Sequence, residues 1–278
     1  MPFSMGRYPH VVVVKGKVYI GGGLAYMEMQ TVMVCDPQRD VWHTLPPYMY
    51  TSFAMAVVND QLVLVGGIDV KTRKCIAMLG VWSEQSQTWT NPFPPMPTAR
   101  RSPSAVTHDN RWLVVVGGKS EDAVTSVEIL DTTLGQWYHG APIPQPCYHV
   151  SAATVGNMCY VLGGFTKGGL SSKNVFSLCL DYLISQAVPQ PVSVTTLPTQ
   201  STSRPPHTPP TLLMSPWQTI PDTPLKRSSA LALNGALLAV GGEERVSMNK
   251  AIHLYQPCLL YTSPSPRDAT LSRMPSSA

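Results

Sequence analysis

Side chains able to do chemistry are spread along this chain rather than gathered. The seven histidines are His10, His43, His108, His139, His149, His207 and His253, and no two stand at the HxH or HxxxH spacing that aims paired imidazoles at one metal ion. The six cysteines, Cys35, Cys75, Cys147, Cys159, Cys179 and Cys258, include no CxxC pair. Several fall in strand-like runs, where a reduced thiol packs as a small apolar group. Glycines come in pairs, but no GxGxxG or Walker sequence opens a helix, so the pairs are not phosphate cradles. The expectation is no catalytic residue, no metal site and no cofactor. What remains is arginine and tyrosine, the types enriched at interface hot spots. They recur just ahead of short apolar runs, as Arg7 with Tyr8, Tyr50 with Ser52, Arg100 with Arg101, Tyr148 with His149, and Lys226 with Arg227.

The elements that must position these residues repeat. Each apolar run is followed by a polar turn and a second run rich in Val, Leu, Ile and Tyr that ends in a glycine pair. The pairs are Gly22-Gly23, Gly66-Gly67, Gly117-Gly118, Gly163-Gly164 and Gly241-Gly242, at steps of 44, 51, 46 and 78 residues. Another strand-like segment follows each pair, and after the first four pairs a tryptophan then comes, Trp42, Trp89, Trp137 and Trp217, with none after the fifth. Each tryptophan precedes the next glycine pair by 24 to 28 residues, so the long step is an ordinary unit carrying an insertion. Alternating strand patterns split by turns of Asn, Asp, Gly and Lys read as hairpins. Each unit is therefore four antiparallel strands with an indole on the last. A lone sheet of this kind cannot bury both faces, whereas sheets stacked around an axis bury one another. The indole is expected to rest in the space that the glycine pair leaves free.

Double glycine after a strand, a further strand and then tryptophan, at about 50 residues per unit, resembles the kelch repeat. The likeness spans about residues 5–257. It implies an all-β fold, a kelch-type β-propeller, with four complete four-stranded blades and a partial fifth, short of the family's usual six. It implies a non-catalytic protein-interaction module, used for substrate recognition or as a scaffold. Galactose oxidase also has a kelch-like propeller, but its two Tyr, two His and cross-linked Cys match no arrangement in this chain. The alternative is a small enzyme, of the oxidase or sugar-isomerase class, with its site in the propeller mouth.

The resemblance also implies where a partner would bind. Two loop sets meet on one face of a kelch propeller. The set after the glycine pairs offers Leu24, Asp69, Lys119, Phe165, and Glu243 with Arg245; the set ahead of the inner strands offers the arginine and tyrosine positions given above. The second set is biased positive, which suits an acidic or phosphorylated segment of a protein partner.

Composition narrows the rest. Charged residues make up 13% of the 278, with net charge +4, and Lys and Arg form no run with interleaved aromatics, so nucleic acid is not the expected partner. No stretch approaches the roughly 20 apolar residues of a membrane span, and residues 1–14 do not form a signal peptide. With unpaired cysteines, this points to the cytoplasm. About residues 184–215 are rich in Pro, Thr, Ser and Gln and read as a disordered insertion in the fourth unit. It holds the PxxP of Pro206 and Pro209, and two sites that could be phosphorylated, Thr208-Pro209 and Ser215-Pro216. Residues 258–278 read as a disordered, non-native tail resembling translated adapter sequence.

Overall fold

The computed structural model describes residues 9–22, 31–190, 217–220, 229–233, 236–240, 243–244, 247–248 and 252–255. Four complete antiparallel blades and part of a fifth are arranged as a β-propeller. Blade one runs His10–Val14, Lys17–Gly21, Met33–Asp36 and Val41–Thr44. Blade two runs Ala54–Val58, Gln61–Val65, Leu79–Ser83 and Thr88–Thr90. Blade three runs Ser104–His108, Trp112–Val116, Val127–Asp131 and Gln136–Gly140. Blade four runs Ser151–Val155, Met158–Leu162, Val175–Cys179 and Gln218–Ile220. The partial sheet holds Ser229–Leu233, Ala236–Val240 and Ile252–Tyr255.

Local sequence explains the hairpins. Lys15-Gly16, Asn59-Asp60 and Asp109-Asn110 each place both turn residues in the left-handed region, the type I′ geometry whose twist matches that of paired strands. The second strands are apolar without alternation because both their faces are covered. Leu62 and Leu64 pack toward blade one, while Val63 and Val65 pack toward blade three. Leu113 and Val115 face blade two, and Val114 and Val116 face blade four. Cys159 and Val161 face blade three, and Tyr160 and Leu162 face the partial sheet. The core is thus a series of interblade layers around an axis. The first strands of all five sheets line a central cavity of about 530 Å³, with Val12, Met55, Ala105, Ala152 and Ala230 in its wall.

The tryptophans and the glycine pairs hold the blades together, though not by packing on each other as expected. In blades two to four the indole N–H of the repeat tryptophan donates to the carbonyl of the linker that arrives from the preceding blade: Trp89 to Pro46 at 2.9 Å, Trp137 to Pro94 at 3.0 Å and Trp217 to Ala141 at 2.9 Å. The glycine pairs instead accommodate the backbone of the next blade's lead-in. A Cβ on Gly66 would lie 2.6 Å from the Arg100 carbonyl oxygen, and one on Gly117 would lie 2.6 Å from that of Cys147. Both glycines have positive φ, +65° and +62°, so close approach and conformation demand glycine together. The neighbouring amides complete the joint, Gly67 donating to Arg100 O and Gly118 to Cys147 O, each at 2.8 Å. Gly22, Gly163 and Gly164 also take positive φ, and Trp42 lies half-buried on the outer strand of blade one; Gly23, Gly241 and Gly242 lie outside the described residues.

The insertion departs from expectation at its start. The strand Val175–Cys179 gives way to a helix, Leu180–Ser185, whose Leu180 and Leu183 sit one turn apart and are both buried between blades three and four. Val188–Pro189 then pairs with Tyr138 and His139 as a fifth strand on blade three, and Gln190 N–H donates to Trp137 O at 2.9 Å. Proline is tolerated there because the strand lies at a sheet edge. Residues 184–190 are therefore ordered: the apolar Leu180, Leu183 and Ile184 supply burial that the polar composition downstream lacks. The PxxP and both Thr/Ser-Pro sites lie outside the described residues.

Candidate functional site

The mouth of the propeller is built by three consecutive lead-in residues that repeat from blade to blade. In blades two, three and four these are Tyr50-Thr51-Ser52, Arg100-Arg101-Ser102 and Cys147-Tyr148-His149. The third residue is left-handed every time, with φ of +55° at Ser52, +51° at Ser102 and +50° at His149. That turn aims the backbone sideways. Ser102 N–H donates to Ser52 O at 2.7 Å, and His149 N–H donates to Ser102 O at 3.0 Å, so successive blades are linked around the channel rim. Just below, Ala152 N–H donates to Ser104 Oγ at 3.0 Å and Ala230 N–H to Ser151 Oγ at 2.7 Å, continuing the links into the partial sheet.

The second residue of each triplet pairs with the residue that follows the glycine pair. Thr51 pairs with Ile68, Arg101 with Lys119 and Tyr148 with Phe165. The pairing is reciprocal: Arg101 and Lys119 exchange N–H···O bonds of 2.9 and 2.8 Å, as do Tyr148 and Phe165. These pairs form the rim. The rings of Tyr148 and Phe165 stack with centroids 5.4 Å apart at 23°, and Lys119 Nζ sits 5.4 Å from the Tyr148 centroid in cation–π geometry. His149 meets the Phe165 ring edge-on at 6.0 Å. Among the described residues, neither Arg101 nor Lys119 has a carboxylate partner within ion-pair distance.

The first residue of each triplet turns inward, which corrects the expectation for Arg100. Its side chain is fully buried, with Nη2 2.7 Å from Glu128 Oε1, and Glu128 is equally buried. Nη1 donates to Gly117 O and Ser126 O at 3.0 Å each, and Nε donates to Thr98 O at 3.3 Å. Burial pulls the guanidinium below its ordinary value, while the Glu128 carboxylate opposes that shift. The Arg100 backbone is held by blade two, donating to Ile76 O at 3.1 Å and accepting from Gly67 N–H at 2.8 Å, while its side chain grips blade three, so it is an interblade bolt and presents nothing to solvent. The signal for it was Glu128, a lone acid inside the apolar run Val127–Leu130 that could be buried only against a cation.

Other anticipated residues also sort by position. Tyr50 lies half-buried against Tyr48, with ring centroids 5.2 Å apart. Ser52 is buried and serves the rim through its backbone. The Asp69 carboxylate accepts from the N–H groups of Lys71 and Thr72 at 2.9 and 2.7 Å, and those bonds hold it below the usual carboxylate range. Arg7, Tyr8, Arg227 and Arg245 lie outside the described residues. The loop that Asp69 caps was missed by the sequence reading. It exposes Lys71, Arg73 and Lys74, and it leads to Cys75, whose thiol points at Lys119 O from 3.3 Å. Its signal in the sequence is the run Lys71-Thr72-Arg73-Lys74, which begins four residues after Gly67. With it, a basic belt runs from blade two across blade three to the aromatic pair of blade four.

Burial lowers the His10 and His149 imidazoles to about 4; for His149, the charges of His10 and Arg101 add to the effect. Burial also pushes the Cys147 and Cys159 thiols up to about 12, as expected for packing groups. The five described cysteines are all free. No helix among the described residues is long and apolar enough to cross a membrane.

No family model matches the chain. Kelch-like protein 40 of Xenopus tropicalis is 26% identical over 153 residues, covering 53% of this chain and 25% of that protein. Kelch repeat and BTB domain-containing protein 12 of Homo sapiens is 29% identical over 154 residues, covering 46% and 25%. Acyl-CoA-binding domain-containing protein 5 of Arabidopsis thaliana is 27% identical over 161 residues, covering 53% and 24%. The chain thus spans about a quarter of the length of these curated relatives. The solved structure of YjhT superposes with a TM-score of 0.58 at 13% identity, covering 91% of this chain and 95% of that one, a likeness of fold. Strand-ending glycine pairs, linker-binding tryptophans and four blades around an axis, with relatives that carry the kelch name, give this chain the fold of a kelch-type β-propeller.

Proposed function

We propose that this propeller is a non-catalytic protein-interaction module that takes an acidic segment of a partner, carrying carboxylates or phosphates, across the mouth of blades two to four. The observation that carries the reading is the rim itself. Arg101 and Lys119 stand beside the Tyr148–Phe165 stack without carboxylate partners among the described residues, and Lys71, Arg73 and Lys74 extend the positive charge. Cations that have no partner within the fold can form charge-assisted bonds to one outside it. The aromatic pair offers flat apolar area at small entropic cost, the pairing of types found at interface hot spots. The kelch-named relatives support an interaction role, and the free, packed thiols support a cytoplasmic setting as a recognition or scaffold unit. Recovery of the tagged chain from the secreted or membrane fraction would refute that compartment.

The second reading, an enzyme with its site in the mouth, rests on the His10 and His149 imidazoles there. Groups held at about 4 are weak general bases at neutral pH, which favours binding over proton transfer. The test is fluorescence anisotropy with labelled peptides graded in Glu content, matched phosphopeptides and a single-stranded oligonucleotide of equal charge. Affinity should rise with acidic content, fall with salt and drop about tenfold or more in the Arg101→Glu/Lys119→Glu variant. Equal binding by the variant would remove this rim. Equal binding by the oligonucleotide would mean that the belt reads charge alone.

A further inference from the structure

At the foot of blade three, away from the mouth, the fold brings Asp181 to the adjacent metal-type donors His108 and Asp109 from 73 residues along the chain. His108 ends the inner strand, and its side chain is only 10% exposed. Its Nε2 lies 2.8 Å from Asp181 Oδ1 and 3.3 Å from Asp109 Oδ2. Asp109 belongs to the hairpin turn, and Asp181 to the first turn of the helix Leu180–Ser185. The donor atoms of all three lie within 4.8 Å of one another. Two carboxylates thus converge on one imidazole, and among the described residues no Lys or Arg pairs with either. One imidazole can carry at most one positive charge, so negative charge is left uncompensated. Asn157 fixes the geometry from behind: its Nδ2 donates to Asp181 Oδ2, and its Oδ1 accepts from Asp181 N–H at 3.2 Å. Asp181 Oδ1 is thereby turned toward His108, as outer partners orient metal ligands.

We propose that His108, Asp109 and Asp181 bind a divalent transition-metal ion, of the zinc class, that pins the insertion helix to blade three. An imidazole with two carboxylates suits Zn²⁺ better than Mg²⁺ or Ca²⁺, which prefer all-oxygen shells. Tetrahedral zinc with bonds of about 2.0–2.1 Å sets its donors about 3.3 Å apart. The His108–Asp109 separation already meets this, and the His108–Asp181 separation needs to open by about half an ångström. The exposed carboxylates leave the fourth position to water. The site would hold blade three and the blade-four insertion together where the outer strand, Gln218–Ile220, arrives only after a long excursion.

The experiment is calorimetric titration of the chelator-treated full chain with ZnCl2, paired with thermal melts, for the wild type, Asp109→Asn and Asp109→Asn/Asp181→Asn. Asp109 is 75% exposed, so its Asn variant should melt like the wild type without metal. The wild type should bind one more zinc ion than the double variant and melt higher with zinc; Asp109→Asn alone should weaken that site about tenfold or more. Cobalt(II) bound there should show no thiolate charge-transfer band, which excludes the cysteines. Equal stoichiometry in wild type and double variant, no zinc-dependent rise in melting, or a thiolate band would each overturn the site.

Discussion

Changing Glu128 to Gln is the sharpest perturbation of this fold. It removes one charge from a pair in which both side chains are wholly buried, 2.7 Å apart, and leaves the Arg100 guanidinium without its counter-ion. Breaking a buried pair from one side costs about 3–5 kcal/mol, because the remaining charge has neither water nor a partner. Three backbone carbonyls, those of Thr98, Gly117 and Ser126, still accept from Arg100, so the lower end, about 3 kcal/mol, is expected. For a folded unit of this size that lowers Tm by about 6–12 °C. Urea unfolding followed by tryptophan fluorescence reads the change directly. Arg100→Met should destabilise by about as much or more, since it strands the carboxylate and removes the donor to the Thr98, Gly117 and Ser126 carbonyls. The double variant Arg100→Met/Glu128→Leu should lose clearly less than the two singles added together. A Glu128→Gln protein within about 1 kcal/mol of wild type, or strictly additive singles, would refute the claim that this pair bolts blade two to blade three.

Gly117→Ala should destabilise far more than Gly16→Ala. Both glycines have positive φ, but a Cβ at 117 would meet Cys147 O at 2.6 Å whereas one at 16 meets nothing within 4 Å, so about 3 kcal/mol or more against about 1 is expected; equal losses in urea melts would show that close approach is not what requires glycine. Acid should weaken the fold through His10 and His149. Their folded values, about 4, lie below the ordinary 6.5, so the unfolded chain takes up protons first; stability is unaffected above about pH 7 and falls between about 6.5 and 4, by at most about 1.4 kcal/mol per pH unit for each group. His10→Asn/His149→Asn should flatten that slope between pH 7 and 5, and Asn tolerates the +50° φ at position 149. An unaltered slope would show that these imidazoles titrate normally.

The blade plan was legible because it rests on period. A strand buried on both faces, a turn of two left-handed residues and a glycine pair are each local, and each recurs. The partners within the joints were not legible. Glycine pair and tryptophan are read together in sequence, yet the indole of Trp137 donates to Pro94, 43 residues back, and Gly117 meets Cys147, 30 residues ahead. Both contacts are between blades, and a repeat shows what recurs without showing what it faces. The helix Leu180–Ser185 was hidden for a different reason. Six residues carry too little periodicity to stand out from the strand before them and the polar insertion after, and what holds the helix is burial of Leu180 and Leu183 in the groove between blades three and four.

The same logic explains why Arg100 and Arg101, adjacent and chemically identical, have opposite roles. The lead-in is extended until its left-handed third residue, so neighbouring side chains leave on opposite sides. The first position therefore points into the interblade layer, where Tyr50, Arg100 and Cys147 must each suit their own blade joint. The second points along the rim, where Thr51, Arg101 and Tyr148 pair through their backbones with the residue after the glycine pair of their own blade, Tyr148 adding its ring stack on Phe165. Side chains at the second position can change without disturbing the blade joint, whereas those at the first cannot. Partner specificity in this propeller should accordingly be written at the second position and at the residue after each glycine pair. Charge reversal at Arg101 therefore probes recognition, and charge reversal at Arg100 would probe only whether the blades remain joined.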